Sequence, residues 1–192
     1  MIIRRRIEFK EVLRRWAIGE VGSKEFGISN FKEARKKLKS NQFTDSDLER
    51  CLYKRWQFYI PTIEVLNATW FLKSTKFIIN EFPNLYTMNE TGWKQKTNGS
   101  YRLIDAVNKF LNLSDENSRE FKIVKNLENL DIDDLTGITL IYDKIIKKYI
   151  IVEGHVRLIA LYNHLIIHER EIDLPLEFAI GFTDIKWRFS PF

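Results

Sequence analysis

Four residues near the C-terminal end of the chain combine acidic, imidazole and guanidinium side chains around a glycine. They are Glu153, Gly154, His155 and Arg157, within residues 149–160, which read YIIVEGHVRLIA. The apolar run before Glu153 predicts a buried strand, and the apolar spacing after His155 predicts a helix. Such a junction favours anion binding, because the first turn of a helix has backbone N–H groups without intrahelical acceptors.

Each of these residues has a chemical role to offer at an anion site. Gly154 would let a ligand approach the backbone closely, and His155 would add a polar donor. Arg157 can donate two hydrogen bonds to phosphate oxygens, which makes phosphate the simplest ligand. Glu153 could hold a Mg²⁺ ion, bind a ribose hydroxyl or act as a general base. The alternative interpretation is a turn glycine, a histidine at a helix start and a surface arginine.

The strand, the Glu-Gly-His-x-Arg box and the following helix resemble the ParB/sulfiredoxin-like superfamily over about residues 120–192. The resemblance implies a small mixed sheet flanked by helices, with ATP or another nucleotide bound at the box. It implies that the phosphates contact Gly154, His155 and Arg157, and that Glu153 is the acidic, catalytic partner. If the chain is an enzyme, an ATP-dependent phosphotransferase or a nucleotide hydrolase is the activity to expect.

Two functions known in that superfamily lack their signature in this chain. Sulfinic-acid reduction requires a cysteine inside the box, whereas the single cysteine, Cys51, lies about a hundred residues upstream. The Gln-x-Arg segment that precedes the box in partition proteins is not found in this sequence. The sequence therefore favours nucleotide binding over either of these two functions.

The basic character of the chain lies in its N-terminal third. Residues 1–60 contain 15 Lys/Arg against 8 Asp/Glu and residues 61–192 contain 16 against 18, so their formal charges are +7 and −2. A basic helical stretch attracts nucleic-acid phosphates, so a non-enzymatic DNA-binding protein is the alternative hypothesis. The contacts would include Arg14, Arg15, Lys36 and Lys37. The simpler interpretation is a solvated helical face.

Hydrophobic periodicity predicts an α+β fold, with a basic helical region at 1–60 and a ParB/sulfiredoxin-like α/β domain at 61–192. The first region is expected to form three short helices. For the second, the expected elements are strands within 62–82, a helix from Tyr101, a strand at 121–124, a capped turn opening at Asp131, a hairpin of 138–142 with 149–152, a helix after the box, and a last strand at 176–181.

Other features bound the class of protein. A single cysteine excludes an internal disulfide framework and a cysteine-rich zinc site. No apolar stretch approaches the roughly 18 residues of a membrane span, so a cytoplasmic protein without a membrane partner is expected. His164 and His168 have a spacing that can bind zinc, but no third ligand is evident, so we expect an ordinary histidine pair.

Overall fold

The structure is a computed structural model that describes residues 5–21, 30–125, 135–171 and 176–192. In these residues, helices cover both faces of a six-stranded mixed sheet. This arrangement confirms the α+β class predicted from the sequence. The capped turn predicted at Asp131 lies outside the described residues.

The described helices differ in length and in what begins them. In chain order they are α1 (Phe9–Glu20), α2 (Phe31–Lys39), α3 (Asp45–Trp56), α4 (Ile60–Glu64), α5 (Thr75–Glu81), α6 (Thr91–Lys96), α7 (Leu103–Leu111), α8 (Arg119–Lys125) and α9 (His155–Tyr162). The Asn30 side chain accepts a hydrogen bond from the Glu33 amide and caps α2. A 3₁₀ turn at Phe82–Asn84 follows α5, and a π-helical turn at Asn163–Ile167 continues α9. None of the described helices is both long and apolar enough to cross a bilayer.

The sheet joins strands from both ends of the chain. Its strands are β1 (Arg5–Ile7), β2 (Thr69–Ser74), β3 (Leu85–Tyr86), β4 (Thr139–Asp143), β5 (Lys148–Glu153) and β6 (Glu177–Thr183), in the spatial order β1-β2-β6-β4-β5-β3. The β4–β5 hairpin and the β1–β2 and β2–β6 pairs are antiparallel, whereas β4 with β6 and β3 with β5 are parallel. The hairpin strand that leads into the box is therefore close to one edge of the sheet.

Two apolar cores lie on opposite faces of the sheet, because successive strand residues point to opposite sides. Leu140 and Ile151 join the core formed with α7 and α9. Ile141 and Ile150 join the other core, which contains Trp16 of α1 and several residues of α3. The central strands are buried on both faces, which explains their continuous apolar runs. Residues of the basic N-terminal region thus cover one face of the sheet and also supply its edge strand β1.

Several predicted elements are confirmed by the structure. Helices α1, α2 and α3 occupy the first sixty residues, and α7 follows Tyr101. The hairpin, the helix that begins at His155 and the last strand are found close to the predicted positions. These elements carry strong local signals, namely apolar periodicity bounded by turn residues. The division of the chain into regions at 1–60 and 61–192 stays a prediction.

Two sequence predictions about secondary structure were wrong. Residues 121–124 belong to helix α8 rather than to a strand; Ser118 Oγ accepts a hydrogen bond from the Phe121 amide at the helix start, and Val124 packs into the core. Within 62–82 only β2 is a strand, and the flanking residues form α4 and α5. Short apolar runs do not distinguish a strand from a buried helical turn, which accounts for both errors.

Candidate functional site

The junction of β5 and α9 requires a glycine for reasons of backbone geometry and packing. Gly154 has φ of 92° and ψ of 22°, in the left-handed region, and immediately precedes the first residue of α9. A Cβ atom at this position would lie 2.7 Å from Cγ1 of Ile138. The glycine therefore lets the chain turn from strand to helix against β4. No side chain caps the helix at Gly154, and the first amides of a helix have no intrahelical acceptors.

A pocket of about 400 Å³ opens at this junction. All four residues predicted as a site line it: Glu153, Gly154, His155 and Arg157. The remaining lining residues are Trp56, Tyr59, Met88, Glu90, Trp93, Arg119, Glu120, Ile123, Val152 and Val156. The volume is within the range of about 300–1,000 Å³ that small-molecule sites occupy. The walls come from α3, α6, α8 and the segments that flank them, so the pocket includes residues from both halves of the chain.

Arg157 lies in the interior and is bound by carboxylates. Its side chain is 4% exposed, Nη1 lies 3.1 Å from Glu153 Oε1, and Nη2 lies 2.9 Å from Glu20 Oε1. Nη2 also donates to the backbone oxygen of Gly19 at 3.1 Å. Two buried carboxylates therefore balance the charge of this guanidinium. This environment favours a structural role for Arg157, and its predicted contact with phosphate stays a prediction.

Glu20 extends this ion pair into a chain of four charged groups. The same Oε1 atom that binds Arg157 accepts a hydrogen bond from Arg119 Nη2 at 3.1 Å, and the Glu20 side chain is 0% exposed. The Arg119 side chain is 38% exposed. The order Glu153–Arg157–Glu20–Arg119 alternates in sign, so each buried charge has an opposite neighbour. Arg119, at one end of this series of charges, is therefore the member that is accessible at the pocket wall.

Sequence reasoning missed both Glu20 and Arg119. Glu20 is 137 positions from Arg157, and Arg119 is 99 positions from Glu20. A buried acid at the end of a helix would be unfavourable without cationic partners, but the sequence does not show that Glu20 is buried. The local signal for close packing at this place is Gly19, a glycine within a helix. In the structure, a Cβ there would lie 2.3 Å from the Thr136 oxygen and 3.2 Å from Arg157 Nη2.

His155 is positioned by an aromatic stack. Its ring lies 4.3 Å from the ring of Trp93 with an interplanar angle of 17°, and the residue is 6% exposed. The Trp93 ring also stacks on Phe110, with ring centroids 5.8 Å apart, and Lys96 Nζ lies 4.7 Å from the Trp93 centroid. Packing therefore fixes the orientation of the imidazole at the start of α9.

The rest of the pocket wall is aromatic and acidic. The Trp56 and Tyr59 rings meet edge to face with centroids 5.6 Å apart, and the Tyr59 hydroxyl donates a hydrogen bond to the Glu90 carboxylate. Three carboxylates, those of Glu90, Glu120 and Glu153, line the pocket against the two guanidiniums. Binding of an anion in this pocket therefore requires hydrogen bonds from the helix amides or from the accessible arginine, or a metal ion that binds together with the anion.

A resident metal ion is not favoured by the donor sets that the structure describes. In residues 5–21, 30–125, 135–171 and 176–192, no group of three or more His, Cys, Asp or Glu side chains could hold a metal ion. His164 Nε2 lies 3.4 Å from the backbone oxygen of Glu171, and His168 is exposed. Mg²⁺ would fit here as it usually does in nucleotide sites, held mainly by the phosphates and by one or two carboxylates.

The basic N-terminal region divides into paired and exposed cations. Arg14 donates to both carboxylate oxygens of Glu11 at 2.6 Å, and Arg15 Nη2 lies 3.2 Å from Glu177 Oε2. Burial lowers the pKa of the Arg15 guanidinium, although Glu177 and Glu11 oppose the shift. On α2, by contrast, the side chains of Lys32, Lys36 and Lys37 are exposed. Helix α2 therefore presents the cations that a large anionic partner could reach.

No family model, no curated protein and no solved structure matches this chain.

Proposed function

We propose that the chain binds a nucleotide in the pocket at the β5–α9 junction. The observation that carries this proposal is that the pocket opens onto the first turn of α9, beside Gly154 and His155. The resemblance of the box to the ParB/sulfiredoxin-like superfamily points to the same ligand. Adenine and cytosine nucleotides are the ligands to test first.

The phosphate groups belong at the start of α9. The first amides of a helix and the positive end of its dipole attract an anion, and no side chain caps this helix. The left-handed conformation of Gly154 turns the chain so that His155 and Val156 line the pocket. Phosphate therefore meets backbone donors whose positions do not depend on freeing the buried Arg157.

The base belongs against the aromatic wall. The half-buried Tyr59 ring provides a flat and polarisable surface at the pocket wall, and Trp56, which is 3% exposed, meets it edge to face. Aromatic side chains stack on any base, with a free energy of about 1–3 kcal/mol per base. This wall supports binding of a nucleotide without selecting one base from the others.

Glu153 is the residue that catalysis would use. Its carboxylate lies at the pocket wall, and Oε1 is 3.1 Å from Arg157 Nη1. A carboxylate can act as a general base or as a Mg²⁺ ligand, and this one borders the pocket. The activity to assay once binding is measured is therefore transfer of the terminal phosphoryl group from the bound nucleotide to an acceptor, or to water in hydrolysis.

Calorimetric titration of ATP, ADP and CTP into the full chain, with and without Mg²⁺, tests the proposal. Saturable binding by at least one nucleotide is expected, and no binding by any of them up to millimolar concentration would contradict it. In a pocket-filling variant, Ile123→Trp, affinity should fall at least about tenfold. The matched control is Ile104→Trp, a half-buried position on α7 that does not line the pocket; its affinity should be that of the unsubstituted chain.

A second candidate function is DNA binding by helix α2. The observation that favours it is the exposure of Lys32, Lys36 and Lys37 on one short helix. Duplex DNA would then bind with an affinity that falls steeply with salt, because bound phosphates release counterions. Reversing these three charges to Glu should abolish binding, whereas reversing three exposed lysines elsewhere, Lys94, Lys122 and Lys147, should leave most of it. Equal retention of DNA by both variants would reject this function.

A further inference from the structure

The two arginines that line the pocket differ in exposure and in how many acceptors they contact. The Arg157 side chain is 4% exposed and contacts Glu20, Glu153 and the Gly19 oxygen. The Arg119 side chain is 38% exposed, and within the described residues its guanidinium has one hydrogen-bond acceptor, Glu20. Of these two arginines, Arg119 is the accessible one, and some of its N–H groups have no acceptor among the described residues.

The cost of recruiting each arginine to a ligand is also different. Moving Arg157 onto a phosphate would leave Glu20 and Glu153 buried with less opposite charge, which is strongly unfavourable. Arg119 can turn its free donors towards a ligand while Nη2 stays on Glu20, at 3.1 Å. Glu20 is 0% exposed and is the last residue of α1, and its carboxylate holds the end of Arg119 at the pocket wall.

We infer that Arg119 is the guanidinium that contacts the phosphate of the bound nucleotide, with Glu20 as its positioning residue and Arg157 as a structural cation. This inference rests on the proposed nucleotide-binding function. It assigns the phosphate contact to a residue of α8, which lies outside the Glu-Gly-His-x-Arg box. The ligand chemistry that it predicts is an anionic group bonded both by the α9 amides and by one accessible guanidinium.

Three probes separate the parts of the ligand. Tripolyphosphate carries the anionic groups alone, adenosine carries the base and ribose alone, and ATP carries both; each is titrated at constant Mg²⁺. The variants are Arg119→Gln, Arg119→Lys and the matched control Lys122→Gln, which removes the same charge from an exposed position of the same helix. Native folding of each variant is checked by its unfolding transition.

The expected result is a selective loss in Arg119→Gln. Its affinity for tripolyphosphate and for ATP should fall by roughly ten- to a hundredfold, the range for a lost charged hydrogen bond. Adenosine binding should be unchanged, Arg119→Lys should recover part of the loss, and Lys122→Gln should bind within about twofold of the unsubstituted chain. The adenosine probe matters because a merely structural role of Arg119 would weaken all three ligands together.

Two different failures are distinguishable. Suppose that the unsubstituted chain binds ATP, and that Arg119→Gln binds ATP and tripolyphosphate as tightly as the unsubstituted chain does. The assignment of Arg119 is then wrong, and the nucleotide site stands. Loss of adenosine binding in parallel with tripolyphosphate binding also overturns the assignment. If the unsubstituted chain binds none of the three probes, the proposed function itself is wrong, and the inference falls with it.

Discussion

Glu20 Oε1 lies 2.9 Å from Arg157 Nη2, although the two residues are 137 positions apart in the chain. Both side chains are buried, and the contact links the last residue of α1 to the first turn of α9. The N-terminal region therefore supplies a charge that the box requires for its own structure. The same carboxylate reaches Arg119 on a third helix, so this one contact connects the pocket wall to the body of the fold.

Arg157→Met should destabilise the chain strongly. Removing one partner of a buried ion pair costs about 3–5 kcal/mol, because the remaining charges lose their compensation. Urea denaturation measures the change in the free energy of unfolding. The control is Arg50→Met, which removes a 65% exposed arginine 3.7 Å from Asp47 and should cost at most about 1 kcal/mol. A loss below about 1 kcal/mol in Arg157→Met would show that the pair is not the structural contact described here.

Gly19→Ala should lower stability even though alanine is the better helix former. A Cβ at Gly19 would lie 2.3 Å from the Thr136 backbone oxygen, so α1 or its neighbour must shift. We expect a loss of about 1–3 kcal/mol, as for other overpacked sites. Gly92→Ala is the control, because nothing lies within 4 Å of its Cβ position in α6; it should gain up to about 1 kcal/mol. Equal effects at both glycines would contradict the close approach of α1 to the Thr136 segment.

Gly154→Ala separates backbone strain from steric contact when it is compared with Gly99→Ala. Both glycines have positive φ, 92° and 84°, but only Gly154 has a close neighbour, Ile138 at 2.7 Å. Gly99→Ala should cost roughly 1–2 kcal/mol from conformation alone. Gly154→Ala should cost roughly 1–3 kcal/mol more. Thermal or urea unfolding measures both, and similar losses would show that packing against Ile138 is unimportant.

Cys51 gives a pH-dependent prediction. Burial raises the pKa of the Cys51 thiol above its ordinary value of 9.0, and Asp47 adds to the shift while Arg50 opposes it. The unfolded chain therefore releases this proton first, so the contribution of Cys51 to stability is complete below pH 9.0 and is lost as the pH rises above it. The free energy of unfolding should fall more steeply above pH 9.0 in the unsubstituted chain than in Cys51→Ala. Parallel pH profiles would contradict this expectation.

The sequence was informative where local signals determine structure. The hairpin strands are continuous apolar runs that meet at a short polar turn, and the box follows as a strand, a glycine and a helix start. The four box residues were predicted as neighbours because they are adjacent in the chain, and all four line the pocket. Such signals need only the periodicity of strands and helices and the special backbone of Gly154.

The sequence could not reveal what depends on distant contacts. Arg157 was interpreted as an accessible cation because no local pattern indicates that Glu20 lies beside it. Arg119 was not considered, because residues 121–124 were interpreted as a strand, whereas the cap at Ser118 and the burial of Val124 favour a helix. Burial and charge pairing are set by tertiary packing, so the isolated motif does not show which of its charges are already paired.

A crystal structure of the full chain grown with ATP and Mg²⁺ would show whether the nucleotide binds at the β5–α9 junction. We expect density for the triphosphate within hydrogen-bonding distance of the α9 amides at His155 and Val156 and of the Arg119 guanidinium. The base should lie against Tyr59, and Arg157 should remain on Glu20 and Glu153. A nucleotide bound elsewhere, or a pocket without density at saturating ATP, would contradict the claim.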